Sequence, residues 1–219
     1  MELNQAIRQR KSVRKFVDQD IPTQDLEDIL EAARWAPSGK NIQNWFFVVI
    51  KNKSLIEKIR QAIVDKNEQL AQALDRKEPG AGDAFRKGCK GYTLFSTNAP
   101  VLTVVYGSLY EPTGYREFAQ LYPDSPLLAD LQKARNPGMQ GVGAAIQNFC
   151  LKATELGYGT CWLTSPNYAA PEIEALLSQE IGFEKEEYFM AAFIALGKPL
   201  TEPSRTTRKS LEEMSFIIE

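Results

Sequence analysis

The chain contains no histidine. That absence removes Ser-His-Asp and Cys-His catalysis, His-ligated zinc and the usual proton carrier near neutral pH, so any chemistry must draw its reactivity from elsewhere. Cysteine is scarce too. Cys89, Cys150 and Cys161 are odd in number and lack C-x-x-C spacing, which speaks against a disulfide framework or a thiolate metal site and for buried, reduced thiols. No apolar run approaches the roughly 18 residues of a membrane span, and the opening MELNQAIRQRK lacks the apolar centre of a signal peptide. A soluble, cytoplasmic protein with no membrane partner and no metal is expected. The formal charge of −2 offers no overall basic footprint for nucleic acid. Repeats, low-complexity tracts and Pro/Gly/Ser-rich linkers are also missing, so residues 1–219 read as one domain.

What is present alternates between helical and strand patterns, giving an α/β or α+β mixture. Leu3 and Ile7 at i, i+4 suggest a first helix; Leu26, Ile29, Leu30 and Ala33 suggest a second, with Thr23 as its N-cap and Pro37 beyond its end. The run Phe46–Ile50 reads as a buried strand, after which Ser54 and Glu57 form a capping box for a long helix to about Leu74. Residues 76–97 are Gly-rich, basic and without a clear period, and Val101–Tyr106 is a second buried strand. The stretch 107–137 scatters Tyr110, Tyr115, Phe118 and Tyr122 among Pro and Gly, more like a mobile cover than a core element. Met139, Val142, Ile146, Phe149, Ala153 and Leu156 keep a helical period up to a Gly157 cap, and Thr160–Thr164, Pro171–Gln179 and Phe189–Leu196 follow as strand, helix and strand. In the tail, Phe216, Ile217 and Ile218 are apolar residues with no reason to stay in water; they either join another subunit's sheet or fold back on their own.

Four constellations could carry chemistry. Arg8, Arg10, Lys11, Arg14 and Lys15 surround Ser12, a knot of cations that is either solvated surface or a cradle for one phosphate ester, with Arg205, Arg208 and Lys209 as a second basic patch. The segment Pro37-Ser38-Gly39-Lys40-Asn41-Ile42-Gln43 sets small polar side chains between helix and strand, as an ordinary turn does, or as a reader of a planar ring's hydrogen-bonding edge does. Gly141-Val142-Gly143 lacks the third glycine and the leading strand of a dinucleotide fingerprint, so helix packing accounts for it. Gly157-Tyr158-Gly159-Thr160-Cys161-Trp162-Leu163-Thr164-Ser165 brings a helix end through a strand into a loop whose amides could meet a flat ligand; Cys161 has no base beside it.

The order of these pieces resembles the FMN-dependent nitroreductase superfamily over nearly the full length: R-K-S-V-R-K-F from Arg10, A-P-S-G-K-N-I-Q-N-W from Ala36, the Gly-Tyr-Gly-Thr-Cys-Trp region, and T-R-K-S-L-E-E from Thr207. The resemblance implies a three-layer α/β/α, α+β fold with a mixed, mainly antiparallel sheet, and a homodimer with FMN at the interface and C-terminal arms, residues 200–219, embracing the partner. It assigns Arg10, Lys11 and Ser12 to the FMN phosphate and ribityl chain and Arg14 to the pyrimidine edge. Arg208 and Lys209 would close on the phosphate. Pro37, Ser38, Gly39, Asn41 and Gln43 would reach the flavin from the neighbouring subunit, and Trp162, Leu163, Thr164 and Ser165 would line the opposite ring face, with the amide near Thr164 facing N5.

On this resemblance the protein takes hydride from NAD(P)H and reduces a small aromatic acceptor, a nitro compound or quinone, in a ping-pong cycle. A cation at Arg14 suits that task, because reduced flavin gathers negative charge at its pyrimidine edge. Tyr110, Tyr115, Phe118 and Tyr122 would roof the substrate cavity. The superfamily also includes flavin-consuming and dehalogenating enzymes, and a non-catalytic redox sensor is a further alternative. Asn44 departs from the pattern, which often has proline there, and 76–92 and 107–137 align with no family motif.

Overall fold

The computed structural model describes residues 1–134, 136–201 and 207–218. In chain order its elements are α1 (Leu3–Gln9), α2 (Thr23–Arg34), β1 (Trp45–Ile50), α3 (Lys53–Asp75), α4 (Asp83–Gly88), β2 (Val101–Ser108), α5 (Tyr115–Leu121), α6 (Pro126–Ala129), α7 (Pro137–Glu155), β3 (Gly159–Leu163), α8 (Ala170–Ile181) and β4 (Tyr188–Gly197). The strands pair antiparallel throughout in the order β1-β2-β4-β3. Among the described residues no helix is long and apolar enough to cross a membrane.

The central strands carry apolar side chains on both faces, and that doubles the core. Leu102, Val104 and Tyr106 of β2 pack with Phe193 of β4 against Ile56, Ile59 and Ile63 of α3 and Ile173 and Leu177 of α8. Val101 and Val105 face the other way, with Ala192, Ile194 and Leu196, against Leu26, Ile29 and Ala33 of α2 and Val142, Ile146 and Phe149 of α7. A bulge between Val105 and Tyr106 leaves Ala191 opposite neither, so the alternation of β4 shifts there. The result is a three-layer α/β/α molecule. β1 departs from the expected buried strand: it is a sheet edge in which Phe46 is 39% exposed and only Val48 and Ile50 are buried.

Local chemistry explains several boundaries. Helix α2 begins at Thr23 itself, with Pro22 at the cap position and no side-chain cap, so Thr23 is not the N-cap. The expected Ser54/Glu57 capping box is absent; Asn52, extended and two residues earlier, takes the Leu55 N–H on its Oδ1 at 3.1 Å and leaves Ser54 inside α3. Leu3 and Ile7 of α1 are exposed, and the helix buries Ala6. Helix α7 ends as expected at left-handed Gly157 (φ +82°), where Gly157 N–H donates to Thr154 O and Tyr158 N–H to Ala153 O. Residues 89–98 run as a π-helical turn (Cys89–Thr93) followed by a 3-10 turn (Leu94–Asn98), periods that 3.6-residue patterning cannot reveal. The cover is more regular than its composition suggests, with α5, α6 and the π-helical turn Asp130–Ala134, pinned by buried Leu128.

Along the outer edge of β3 the N-terminal segment adds a short parallel partner. Ser12 bridges Thr160, Val13 N–H donates to Thr160 O at 2.9 Å, and Phe16 bridges Pro199. The approach is close enough that a methyl on Gly159 would sit 2.5 Å from Val13 Cγ2. The tail does not fold back on its own body: Phe216, Ile217 and Ile218 are 89%, 83% and 85% exposed, and residues 207–218 form no strand. Arg205 lies outside the described residues.

Replacing Gly159 by Ala is therefore expected to cost about 1–3 kcal/mol by overpacking, and thermal unfolding should show the midpoint falling. Adding Val13→Ala removes the obstructing methyls and should restore part of that loss; a double variant no more stable than the single one would show that the contact does not set the spacing.

Candidate functional site

Pairing with β3 fixes the backbone of the cationic segment, and the side chains follow from it. Arg10 and Lys11 are half-buried, while Ser12 and Arg14 are exposed. Arg14 Nη1 donates to Ser12 O at 3.4 Å, and its guanidinium stands 5.8 Å from the Phe95 ring centroid, over the satellite cluster of Ala99, Cys161 and Ala195. Among the described residues neither Arg10 nor Arg14 has a carboxylate partner, whereas Asp18 and Asp20, nearby in sequence, are taken by Lys53 and Lys51. Guanidinium groups without an acid partner among the described residues, held on a strand-bound strip, are donors of the type that suits an anion.

The continuation of β3 lies beside this strip. Trp162 is partly exposed and rests on α7, where a methyl at Gly143 would meet its ring at 3.5 Å. Thr164 accepts Asn167 N–H, and Ser165 Oγ donates to Tyr92 O at 3.1 Å, so the Trp162–Ser165 turn is tied to the π-helical segment. Phe95 and Tyr92 thus join the site from a stretch whose sequence showed no period. Cys161 is buried. Desolvation pushes its thiol up despite the pull of Arg14, Ser12 and Arg10, and burial lifts Cys150 to about 11, so both remain protonated, inert sulfurs near neutral pH.

The loop from Pro37 to Asn44 is built against the N-terminal half of α7. Methyls at Gly138 and Gly141 would strike Asn44 Nδ2 at 3.1 Å and Asn44 Oδ1 and Ser38 Cβ at 3.3 Å, so these glycines serve packing, in agreement with the sequence reading. Lys40, Asn41 and Gln43 all adopt left-handed backbone (φ 52°, 52° and 47°). Gln43 N–H donates to Ser38 Oγ at 2.9 Å, closing the loop. Asn44 was missed as a site residue. It is 2% exposed, and its Nδ2 donates to Ser108 O at 2.8 Å and Gly138 O at 3.1 Å while its carbonyl accepts Ser108 N–H. One amide thereby joins the loop, the end of β2 and the start of α7. Its departure from the family pattern was the only signal for it in the sequence.

Above the loop lies a cavity of about 870 Å³ bounded by Lys40, Ile42, Asn44, the segment 108–114 and Arg116 and Glu117. Of the four aromatic residues expected to roof it, only Tyr110 is in its wall, stacked so near that a methyl on Gly39 would meet its ring at 3.0 Å. Lys40 Nζ lies 5.5 Å from the Tyr110 ring centroid and donates to Glu111 O at 3.2 Å. Tyr115 instead hydrogen-bonds Gln132, and Phe118 and Tyr122 pack on each other with centroids 5.0 Å apart. Arg208 and Lys209 are exposed in the tail, where Arg208 Nη1 donates to Thr207 O at 3.0 Å.

Comparison with known proteins identifies the family and the fold. Residues 7–198 match the model of the Nitroreductase family. A BluB-like flavoprotein from Clostridium difficile 630 superposes with a TM-score of 0.93 at 48% identity, covering 100% of both chains. An oxygen-insensitive NADPH nitroreductase from Helicobacter acinonychis is 28% identical over 209 residues, 94% of this chain and 91% of that protein. An iodotyrosine deiodinase from Hydra vulgaris is 31% identical over 133 residues, 57% of this chain, which spans 48% of that protein's length.

Two outcomes follow. Asn44→Ala leaves two carbonyls without their donor and should cost about 1–3 kcal/mol in chemical denaturation; Asn44→Asp, similar in shape but donating nothing as a carboxylate, should cost at least as much. The buried thiols should resist a maleimide at pH 7 in the native protein and react, three per chain, after unfolding; rapid native labelling of Cys161 would contradict its raised pKa.

Proposed function

The chain belongs to the nitroreductase family, and on that premise we propose that it is an FMN-dependent oxidoreductase taking hydride from NAD(P)H and reducing small aromatic acceptors such as nitro compounds or quinones. The observation that carries this reading is the strip from Arg10 to Arg14 laid along β3, with two arginines that pair with no carboxylate among the described residues and a serine hydroxyl between them. Its donor set fits the phosphate of a mononucleotide: planar guanidinium groups, an ammonium and a hydroxyl, held by backbone pairing rather than by a loose tail. The absence of histidine accords with it, since bound FMN supplies the two-electron chemistry that no side chain here offers.

In this reading Arg10, Lys11 and Ser12 hold the phosphate and ribityl chain, and Arg14 stands at the pyrimidine edge, where a positive charge favours the reduced, more anionic state of the ring. The turn Trp162–Ser165 presents backbone to one ring face. Pro37, Ser38, Gly39, Asn41 and Gln43 belong to the site of a second copy, which makes the active form a homodimer with the cofactor between subunits. Two features support that assignment. The loop's backbone is held in an uncommon conformation, and the tail leaves Phe216, Ile217 and Ile218 in water in the single chain. On the partner, that tail would bury its apolar end and bring Arg208 and Lys209 to the phosphate. Tyr110 borders the space an aromatic acceptor would enter. The cytoplasm, with its supply of reduced nicotinamide, is the compartment this reading requires.

Purified protein should be yellow, lose its visible flavin absorption when titrated anaerobically with NADH or NADPH, and regain the oxidised spectrum when an acceptor or air is admitted. A protein that takes up no FMN defeats the proposal, and one whose flavin spectrum fails to return in air consumes its flavin instead. Arg14→Ala should lower the two-electron midpoint of the bound flavin by on the order of 30 mV, equivalent to about 1.4 kcal/mol, and an unchanged midpoint would take Arg14 out of that role. Deleting residues 216–219 should raise the dimer dissociation constant by at least about tenfold in sedimentation, the loss of roughly 1.4 kcal/mol of apolar burial.

A further inference from the structure

Helix α8 ends at left-handed Gly182 (φ +64°), and Phe183 N–H donates back to Leu177 O at 3.3 Å, folding residues 183–187 over the last turn of the helix. Between this connection, α8 and the start of β4 lies a cavity of about 750 Å³. It shares no lining residue with the cavity beside Tyr110. Its wall combines the rings of Tyr106, Phe183 and Tyr188 with the carboxylates of Glu174, Glu184 and Glu186. Lys185 is its one basic residue among those described.

Two observations say what such a wall holds. Lys185, flanked in sequence by two glutamates, pairs with no carboxylate among the described residues; its ammonium lies 4.5 Å from the Tyr188 ring centroid and 4.9 Å from that of Phe46. The protein's own cation thus already demonstrates that these ring faces accept one. The second is Tyr106, 4% exposed, whose hydroxyl has no hydrogen-bond partner among the described residues although the residue forms part of the cavity wall. Burial and the nearby Glu174 carboxylate raise its pKa, so it stays a phenol and can donate. Glu174 spends one oxygen on Met190 N–H and Glu184 one on Ser178 Oγ, while Glu186 makes no hydrogen bond among the described residues. The cavity therefore offers negative charge, aromatic faces and the phenol of a largely buried tyrosine that has no hydrogen-bond partner among the described residues.

We propose that this cavity binds a small organic ammonium carrying an oxygen acceptor, its charge taking the place of the Lys185 ammonium on the Tyr188 ring and its oxygen accepting from Tyr106. Lys185, at the exposed connection, acts as a built-in competitor that must swing outward when the ligand enters. The inference does not depend on the flavin reading, since none of these residues belongs to that site.

Titration calorimetry of the purified full-length protein with choline, set against its uncharged isostere 3,3-dimethylbutan-1-ol, tests it. Choline should bind at least about tenfold more tightly than the neutral isostere, the order expected of a desolvated cation–π contact. Lys185→Ala should tighten choline binding severalfold, because the competing ammonium is gone, and Tyr188→Leu should weaken it about tenfold or more. Tyr106→Phe should weaken choline while leaving tetramethylammonium, which has no oxygen, unaffected. Equal binding of choline and its isostere, no choline binding at all, or an Lys185→Ala variant that binds no better would each overturn the proposal. Circular dichroism identifies a variant that has failed to fold; the isostere comparison and Lys185→Ala remain decisive if Tyr188→Leu does.

Discussion

The hydrogen bond from Val13 N–H to Thr160 O, with the contact of Val13 on bare Gly159, is the constraint on which the site rests. Without it, residues 10–16 are a cationic tail that pays the full entropy of ordering whenever an anion is bound. With it, backbone pairing has already fixed the spacing of Arg10, Ser12 and Arg14 before any ligand arrives. The same pairing protects the open edge of β3, which would otherwise present unmatched amide groups to other chains.

Helix α7 organises both the loop before β1 and the end of β3. Its apolar face, through Val142, Ile146 and Phe149, belongs to the core with α2, while Gly138, Gly141 and Gly143 let the loop, Asn44 and the Trp162 ring come within contact of the helix surface. One helix thus sets the position of both polar segments that flank the sheet end. Glycine in a helix interior costs about 1 kcal/mol in propensity relative to alanine, and here the closeness of those segments offsets it.

Much of this architecture was legible in the residues. The unbroken apolar runs of β2 and β4 could only be strands covered on both faces, and the period of α7 through Phe149 and Ala153 announced its buried side. The cations at Arg10 and Arg14 and the polar loop at Ser38 and Gln43 stood out by type. Other features had no one-dimensional signature. Ser54 and Glu57 matched a capping pattern, but Asn52 was already extended and nearer the helix start. Residues 89–98 follow π and 3-10 periods, so Phe95 and Tyr92 could not be placed beside Arg14 and Ser165. Asn44 reads as one more polar residue of a turn until its two carbonyl partners, 64 and 94 positions away, are seen. The roofing role expected of Phe118 and Tyr122 was drawn from their place in the chain, and those rings pack on each other.

The loop before β1 carries a lesson of its own. A turn through left-handed backbone is made most cheaply from glycine, and lysine, asparagine and glutamine each give up conformational energy to stand there. Had selection cared only for the path of the chain, positions 40, 41 and 43 would be free to lose their side chains. As it stands, the bend carries an ammonium and two amides that its own geometry does not call for.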